Sequence, residues 1–302
     1  MTYGEIYRTG CEILEKAGVP EATLDARLLL EYVCGTDRSY LTAHADSQVE
    51  PEKRESFFEL LERRGGRIPL QQLTGVQYFM GLEFLVNEHV LIPRQDTEIL
   101  VEEALKHLHD GMRVLDMCTG SGCILISLLR YTNGCRGLGV DISREALKVA
   151  EKNAGHLLKI NSDPELWAES ASVCFEESDL FEKVEGTFDV IVSNPPYIPS
   201  EVIDTLMPEV RDHEPRLALD GSADGLLFYR RITEDCKTHL AGGGMLFFEI
   251  GYDQGEAVSR LMEQAGFLEV QVIKDYAGLD RVVFGTLGFE PLGFESRECG
   301  RM

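Results

Sequence analysis

The stretch Val114-Leu115-Asp116-Met117-Cys118-Thr119-Gly120-Ser121-Gly122-Cys123-Ile124 decides the fold. An apolar strand ends in an acid, and a turn of small residues opens directly into an apolar helix, the first half of a strand–helix–strand unit. Gly120 and Gly122 admit positive φ and let a ligand approach the backbone. The helix start offers unpaired N–H groups. The strict G-x-G-x-x-G dinucleotide fingerprint is absent, because its first glycine falls on Cys118, and this argues against a nicotinamide site. Asp116 would repel a pyrophosphate and favour a cationic amino-acid group.

Outward from this stretch, strands and helices alternate. Strands are expected near 112–117, 136–141, 172–176, 188–193, 244–250, 268–274 and 280–287, and helices near 96–108, 121–132, 143–156, 224–240 and 253–265. The turn at 275–280 is too short for a parallel crossover, so the last two strands should pair antiparallel. The expected class is α/β: a seven-stranded open, Rossmann-like sheet at 94–287, carrying the chemistry, with a tail at 288–302. Before it, residues 1–75 read as a small helical domain. Thr2 and Glu5 form a capping box, a second helix carrying Leu24, Leu28, Leu29 and Val33 ends at Gly35, and a third starts at Pro51 and stops at Gly65-Gly66. Residues 76–93 change period. Tyr78, Met80, Leu82, Phe84 and Val86 alternate, and Val90, Leu91 and Ile92 follow a polar Asn87-Glu88-His89 break, which reads as a hairpin linker.

The chain has 302 residues, enough for two domains at roughly 150 each. Its net charge of −23 disfavours a surface that tracks phosphates, which requires a basic face. The eight cysteines contain no C-x-x-C pair, the N-terminus lacks a basic start and apolar run, and no stretch is long and apolar enough to span a bilayer. A reduced, soluble, cytoplasmic chain is expected. No H-E-x-x-H pattern occurs among the seven histidines, and no metal is expected.

Three further strand ends carry chemistry. Asp141, followed by Ile142, suits two hydrogen bonds from a ribose diol. Asp179 beside Leu180 could meet the amino edge of an adenine ring held between Ile142 and Leu180. The most informative is Phe188-Asp189-Val190-Ile191-Val192-Ser193-Asn194-Pro195-Pro196-Tyr197. Two prolines fix φ and remove two donors, so the turn is stiff and its carbonyls are free to accept. Asn194 adds an amide acceptor and Tyr197 a flat aromatic face. The set suits a planar substrate bearing an NH₂ group, bonded to Asn194 and the Pro195 carbonyl with Tyr197 on its plane.

On these residues the chain resembles the S-adenosylmethionine-dependent methyltransferases that modify planar nitrogens through Asn-Pro-Pro-Tyr, and in particular the release-factor N5-glutamine methyltransferases. Pro69-Leu70-Gln71-Gln72-Leu73-Thr74-Gly75 is similar to that family's domain junction, Ile92-Pro93-Arg94-Gln95-Asp96-Thr97-Glu98 to its I-P-R-P-D-T-E segment, and Glu214-Pro215-Arg216-Leu217-Ala218-Leu219-Asp220-Gly221 to its E-P-x-x-A-L-x-G stretch. Gln95 replaces a proline, and Cys118 the first glycine of the commoner loop.

The resemblance implies that Cys118, Thr119, Gly120, Ser121, Gly122, Asp141, Leu180 and Asn194 line the S-adenosylmethionine pocket, which the strand-end reading extends to Asp116, Ile142 and Asp179. It implies that Asn194, Pro195, Pro196 and Tyr197 hold the substrate, with Asn194, Pro195 and Tyr197 catalytic, and that Arg94, Thr97 and Glu98 stand near the site mouth. The expected reaction is methylation of a glutamine amide, in the Gly-Gly-Gln loop of a peptide chain release factor, by residues 1–75 recognising the partner and a monomer releasing S-adenosylhomocysteine. Glutamine methylation of a ribosomal protein, N6-methylation of adenine and non-catalytic cofactor binding are the competing readings.

Overall fold

The fold is that of a computed structural model, which describes residues 1–158 and 173–288. Helix α1 (Tyr3–Lys16) begins at the expected capping box: the Glu5 N–H donates to the Thr2 hydroxyl at 3.3 Å, and the Thr2 N–H to the Glu5 carboxylate at 2.9 Å. Helix α2 (Ala22–Cys34) ends on Gly35 at φ 63°, and α4 (Pro51–Gly65) carries Pro51 in its first turn. The short helices α3 (Arg38–Ala43) and α5 (Leu70–Thr74) were not expected; six and five residues are too few to show a period. Ile6, Leu14, Leu29, Leu30, Phe57 and Leu61 are fully buried in one core. Leu24, counted on the apolar stripe of α2, is 40% exposed instead, because Ala22, Ala26, Leu29 and Leu30 form the buried face.

The hairpin is real but its turn is displaced. Strands β1 (Val76–Phe79) and β2 (Leu82–Leu85) are joined at Met80-Gly81, inside the alternating run and not at the polar break. Both turn residues have positive φ, 50° and 70°, the geometry of a tight two-residue hairpin. Crossing the turn reverses the phase, so Phe79 is buried and Tyr78 is exposed. Met80 is held there by its N–H donating to Glu98 at 2.6 Å and its carbonyl accepting from the Tyr131 hydroxyl at 2.5 Å.

The remaining elements are α6 (Gln95–Leu105), β3 (Arg113–Met117), α7 (Cys123–Arg130), β4 (Arg136–Asp141), α8 (Arg144–Leu157), β5 (Val173–Glu177) and β6 (Phe188–Ser193). Three four-residue helices follow, α9 (Ser200–Ile203), α10 (Pro208–Arg211) and α11 (Arg216–Leu219). The chain then forms α12 (Leu227–Asp235), β7 (Leu240–Glu249), α13 (Gly255–Gln264), β8 (Phe267–Lys274) and β9 (Asp280–Leu287). The helix expected over 224–240 is shorter than its sequence pattern, ending at Asp235 before a 3₁₀ turn, and β7 starts at Leu240, four residues early. The tail expected at 288–302 lies, except for Gly288, outside the described residues.

The seven strands run in the order β5-β4-β3-β6-β7-β9-β8, parallel except that β9 pairs antiparallel with both β7 and β8. This is the methyltransferase fold. Alternate residues divide between two faces: Val114, Val190, Val192 and Phe247 pack under α6 and α7, while Leu115, Ile191, Leu246 and Phe248 pack under α12 and α13. With both faces covered, the strands read as continuous apolar runs. The chain leaves β3 toward β4 on one side, and β6 takes its other side, so a crevice opens at the carboxyl ends of β3, β4 and β6. No helix among the described residues is long and apolar enough to cross a membrane.

The N-terminal helices are tied to the loop bearing α10 by a buried charge cluster. Arg64 Nε lies 2.7 Å from Asp25 and Nη2 3.0 Å from Glu209, which Arg67 Nε also holds at 2.7 Å. Removing one member of a buried cluster strands the others without solvation. Arg64→Ala should therefore cost about 3 kcal/mol in urea denaturation, whereas Glu256→Ala, which breaks an exposed pair with Arg260, should cost under about 0.5 kcal/mol. Equal effects of the two substitutions would contradict this assignment.

Candidate active site

The glycine turn after β3 is built on two carboxylates with different surroundings. Asp116 is fully buried, receives the Thr119 hydroxyl on one oxygen at 2.6 Å, and has no partner for the other among the described residues. Burial pushes its carboxyl up to about 7. Asp141, at the end of β4, accepts the Gly120 N–H at 2.9 Å and the Ser143 N–H at 2.8 Å, one on each oxygen. Burial raises it too, opposed by those backbone donors. Each oxygen of Asp141 keeps lone-pair capacity for a further donor.

The two glycines of the turn do different work. Gly120 has φ 54° and a Cβ there would meet nothing within 4 Å, so the space above it is open to a ligand. Gly122 has φ 78°, but a Cβ there would stand 2.9 Å from Ile126 and 3.2 Å from Ala150. Its smallness therefore serves the packing of α7 on α8 rather than a ligand. Cys118 adopts φ 62°, a left-handed conformation that explains why glycine is common at this point of such loops.

After β5, Leu180 also takes a positive φ of 51°, fixed by the Ser178 hydroxyl donating to its carbonyl at 2.8 Å. Asp179 is already engaged by Arg231 at 3.0 Å. Leu180 is buried, while Ile142, next to Asp141, is half exposed, and both line the same cavity.

After β6, Asn194 Nδ2 donates to the Thr97 hydroxyl at 3.3 Å. Among the described residues nothing donates to Asn194 Oδ1 or to the Pro195 carbonyl. The Tyr197 hydroxyl donates to the buried Glu249 at the end of β7, at 3.4 Å. Residues 219–225 brace the turn from behind: the Ile198 N–H donates to the Leu219 carbonyl at 3.0 Å and the Gly221 N–H to the Ile198 carbonyl at 2.9 Å. Gln254 donates to the Tyr197 carbonyl at 3.0 Å. At the rim, Arg94 pairs with the buried Glu214 at 2.6 Å, joining two motifs that are far apart in the chain.

These loops enclose a cavity of about 220 Å³. Every residue expected to bind cofactor or substrate lines it except Asp116, Gly122, Pro195 and Tyr197. Asp116 and Gly122 are corrections, because one sits beneath the turn and the other inside a helix contact. Tyr197 directs its hydroxyl to Glu249, and neither Tyr197 nor Pro195 is among the residues that line the cavity. Of the three residues expected at the mouth, Arg94 and Thr97 line the cavity, Thr97 as a buried wall; Glu98 turns to the hairpin. Arg231, Phe228 and Glu249 were missed. Glu249 carried a readable signal, an acid ending an apolar strand, the same signal as Asp116 and Asp141.

Residues 5–75 match the family model described as the PrmC N-terminal domain, and residues 95–210 match the methyltransferase small domain. The chain is 42% identical over 279 residues to the release factor glutamine methyltransferase of Caulobacter vibrioides, covering 90% of this chain and 92% of that one. It is 41% identical over 276 residues to the corresponding protein of Geobacter sulfurreducens, covering 91% and 93%. Among solved structures it is similar to a release factor-specific protein-(glutamine-N5) methyltransferase from Alicyclobacillus acidocaldarius, 32% identical, covering 68% of this chain and 99% of that one with a TM-score of 0.39.

The glycine geometry gives a stability test. Gly120→Ala should cost about 1 kcal/mol, the strain of a left-handed alanine. Gly122→Ala should cost that strain plus roughly 1–3 kcal/mol of overpacking. Urea denaturation of the two variants checks the order, and equal losses would contradict the division of roles.

Proposed function

The chain belongs to the release factor glutamine methyltransferase family, and on that premise we propose that it methylates the side-chain amide nitrogen of a glutamine in a peptide chain release factor, using S-adenosylmethionine. One observation carries the assignment to a planar NH₂ group. Asn194 has its own NH₂ tied to Thr97, so its oxygen and the Pro195 carbonyl are two acceptors on one stiff turn.

The residues around the cavity fit the cofactor. The open space over Gly120 is a cradle that a side chain would fill and a ligand can occupy. Asp141 retains acceptor capacity suited to a ribose diol, and Ile142 and Leu180 offer apolar contacts for the two faces of a purine. When bound, the cofactor supplies a sulfonium-activated methyl group. The chain's residues address the weak partner of the reaction, an amide nitrogen whose lone pair is delocalised into its carbonyl. Asn194 Oδ1 and the Pro195 carbonyl accept the two N–H bonds. They raise electron density on nitrogen and bind it more tightly as positive charge develops there, which is stabilisation of the transition state rather than the ground state. No strong base is required before transfer, because the proton becomes acidic only once nitrogen has accepted the methyl group.

Residues 1–75 are proposed as the unit that recognises the release factor. Their helices abut the α10 loop and the Arg94–Glu214 rim, next to the cavity. A net charge of −23 favours association with a basic protein partner over nucleic acid. The Gly-Gly-Gln loop of the factor is the proposed target, since two glycines let a chain thread a narrow entrance with a glutamine extended.

Purified release factor incubated with the chain and S-adenosylmethionine should gain one methyl group, placed on the loop glutamine by peptide mass spectrometry. Asn194→Ala should slow this about 100-fold, and Gly120→Ala should bind S-adenosylhomocysteine at least about tenfold more weakly. An unmodified factor, with the methyl group on a ribosomal protein or an oligonucleotide instead, would refute the proposal.

A further inference from the structure

The hairpin between the two domains is a two-stranded sheet, so each strand has one edge with no neighbouring strand among the described residues. In a two-residue hairpin the pair next to the turn, here Phe79 and Leu82, exchanges hydrogen bonds, and every second pair after it does so again. Leu85 stands opposite Val76, at one of the pairs between, so its N–H and carbonyl point away from β1. The next N–H, that of Val86, points back and donates to the Gly75 carbonyl at 3.0 Å.

Both outward groups of Leu85 are met by one side chain, Asn153 of α8. The Leu85 N–H donates to Asn153 Oδ1 at 2.7 Å, and Asn153 Nδ2 donates to the Leu85 carbonyl at 3.0 Å. Asn153 Nδ2 also donates to the Ser121 carbonyl, inside the glycine turn, at 2.9 Å. Asn153 is fully buried, so water does not compete for these bonds, and the amide has its oxygen and both N–H groups in use. A reversed amide would set its NH₂ against an N–H and its oxygen against two carbonyls, so a single orientation is fixed.

Ser121 is 2% exposed and lines the cavity, whereas no residue of β1 or β2 does. Beyond Leu85 the linker returns to the cavity, and His89, Val90, Leu91, Pro93 and Arg94 form part of its wall. Helix α8 also holds this segment by packing, with Val86 and Val90 against Ala146 and Val149. The Asn153 amide is the polar bridge from the base of the hairpin to the glycine turn.

We infer that Asn153 is a positioning residue for the cofactor, and that it couples the glycine turn to the hairpin between the domains. The inference rests on the reading of the cavity as the S-adenosylmethionine site. A ligand that settles the glycine turn holds the Ser121 carbonyl, and through it the amide that closes the free edge of β2. By linkage, whatever steadies the hairpin tightens cofactor binding by the same free energy. The N-terminal helices end at α5 and Gly75, immediately before β1, so the domain proposed to recognise the factor adjoins the coupled sheet.

The test uses the full chain and S-adenosylhomocysteine, with affinity measured by calorimetry and hydrogen exchange of the 77–85 amides read by mass spectrometry. In the wild type, saturating S-adenosylhomocysteine should slow exchange at 77–85 about tenfold, although no residue there lines the cavity. Asn153→Ala should bind S-adenosylhomocysteine about tenfold more weakly and lose that protection. Its defect in methylating the release factor should appear in KM for S-adenosylmethionine rather than in kcat. Arg64→Ala, which destabilises the fold away from the cavity, should keep both the affinity and the protection. Wild-type hairpin exchange that ignores bound S-adenosylhomocysteine would overturn the coupling, and that measurement needs no variant to fold. Protection that survives in Asn153→Ala would overturn it too, assigning the effect to the packing of Val86 and Val90, as would equal losses of affinity in Asn153→Ala and Arg64→Ala. A wild type that binds no S-adenosylhomocysteine at all removes the reading of the cavity, and the coupling with it.

Discussion

The turn that ends β6 stands on a backbone contact too close for any side chain. A Cβ on Gly221 would lie 2.7 Å from the Tyr197 Cα, and one on Gly225, at φ 71°, would overlap the Tyr197 carbonyl oxygen. Two prolines stiffen the turn from within, two glycines let the 219–225 segment close on it from behind, and Gln254 pins its last carbonyl. Rigidity is what the chemistry asks for. Acceptors that stay in place as charge develops need no reorganisation at the moment of transfer, and that preorganisation is the main source of such stabilisation.

The remaining architecture delivers this turn to a cofactor cleft. The strand order puts β3 and β6 side by side with their helices departing in opposite directions, so the glycine turn and the proline turn face one crevice. Each loop at the crevice is held by a polar group at the end of a strand: Asp116 through Thr119, Asp141 through Gly120, Glu249 through Tyr197. Buried carboxylates of this kind are costly unless partnered. Asp116 and Glu249, both pushed up to about 7, show that their environments are only partly compensating. The Arg94–Glu214 pair closes the rim and couples the sheet domain's entrance to the loop that Arg64 and Arg67 hold.

Much of this was readable in the residues, for physical reasons that vary by element. The parallel strands announce themselves as apolar runs because both sheet faces are covered, and the strand-to-glycine turns mark their own ends. The capping box at Thr2 and the stop at Gly35 are local chemistry and were placed within a residue. The hairpin turn was misplaced because Met80 carries φ 50°, a conformation usually signalled by glycine or asparagine, and is held there by Glu98 and Tyr131 from elsewhere in the fold. Gly122 read as a ligand contact because sequence cannot say whether a glycine faces a cavity or a helix. Tyr197 read as a wall of the site, but where an aromatic ring points depends on partners such as Glu249, 52 residues away. Pairings across that distance, including Thr97 with Asn194 and Arg94 with Glu214, have no period and no spacing to betray them.

The central claim is that this turn acts on a planar amide nitrogen. The most direct measurement is ¹H–¹⁵N NMR of a release factor labelled at its glutamine side-chain amides, recorded before and after incubation with the chain and S-adenosylmethionine. The NH₂ group of the loop glutamine gives a pair of correlations, and methylation at nitrogen leaves a single one coupled to a new methyl signal. The account predicts that replacement at one glutamine. Intact pairs for every glutamine, with the methyl signal arising at any other atom of the factor, would contradict it.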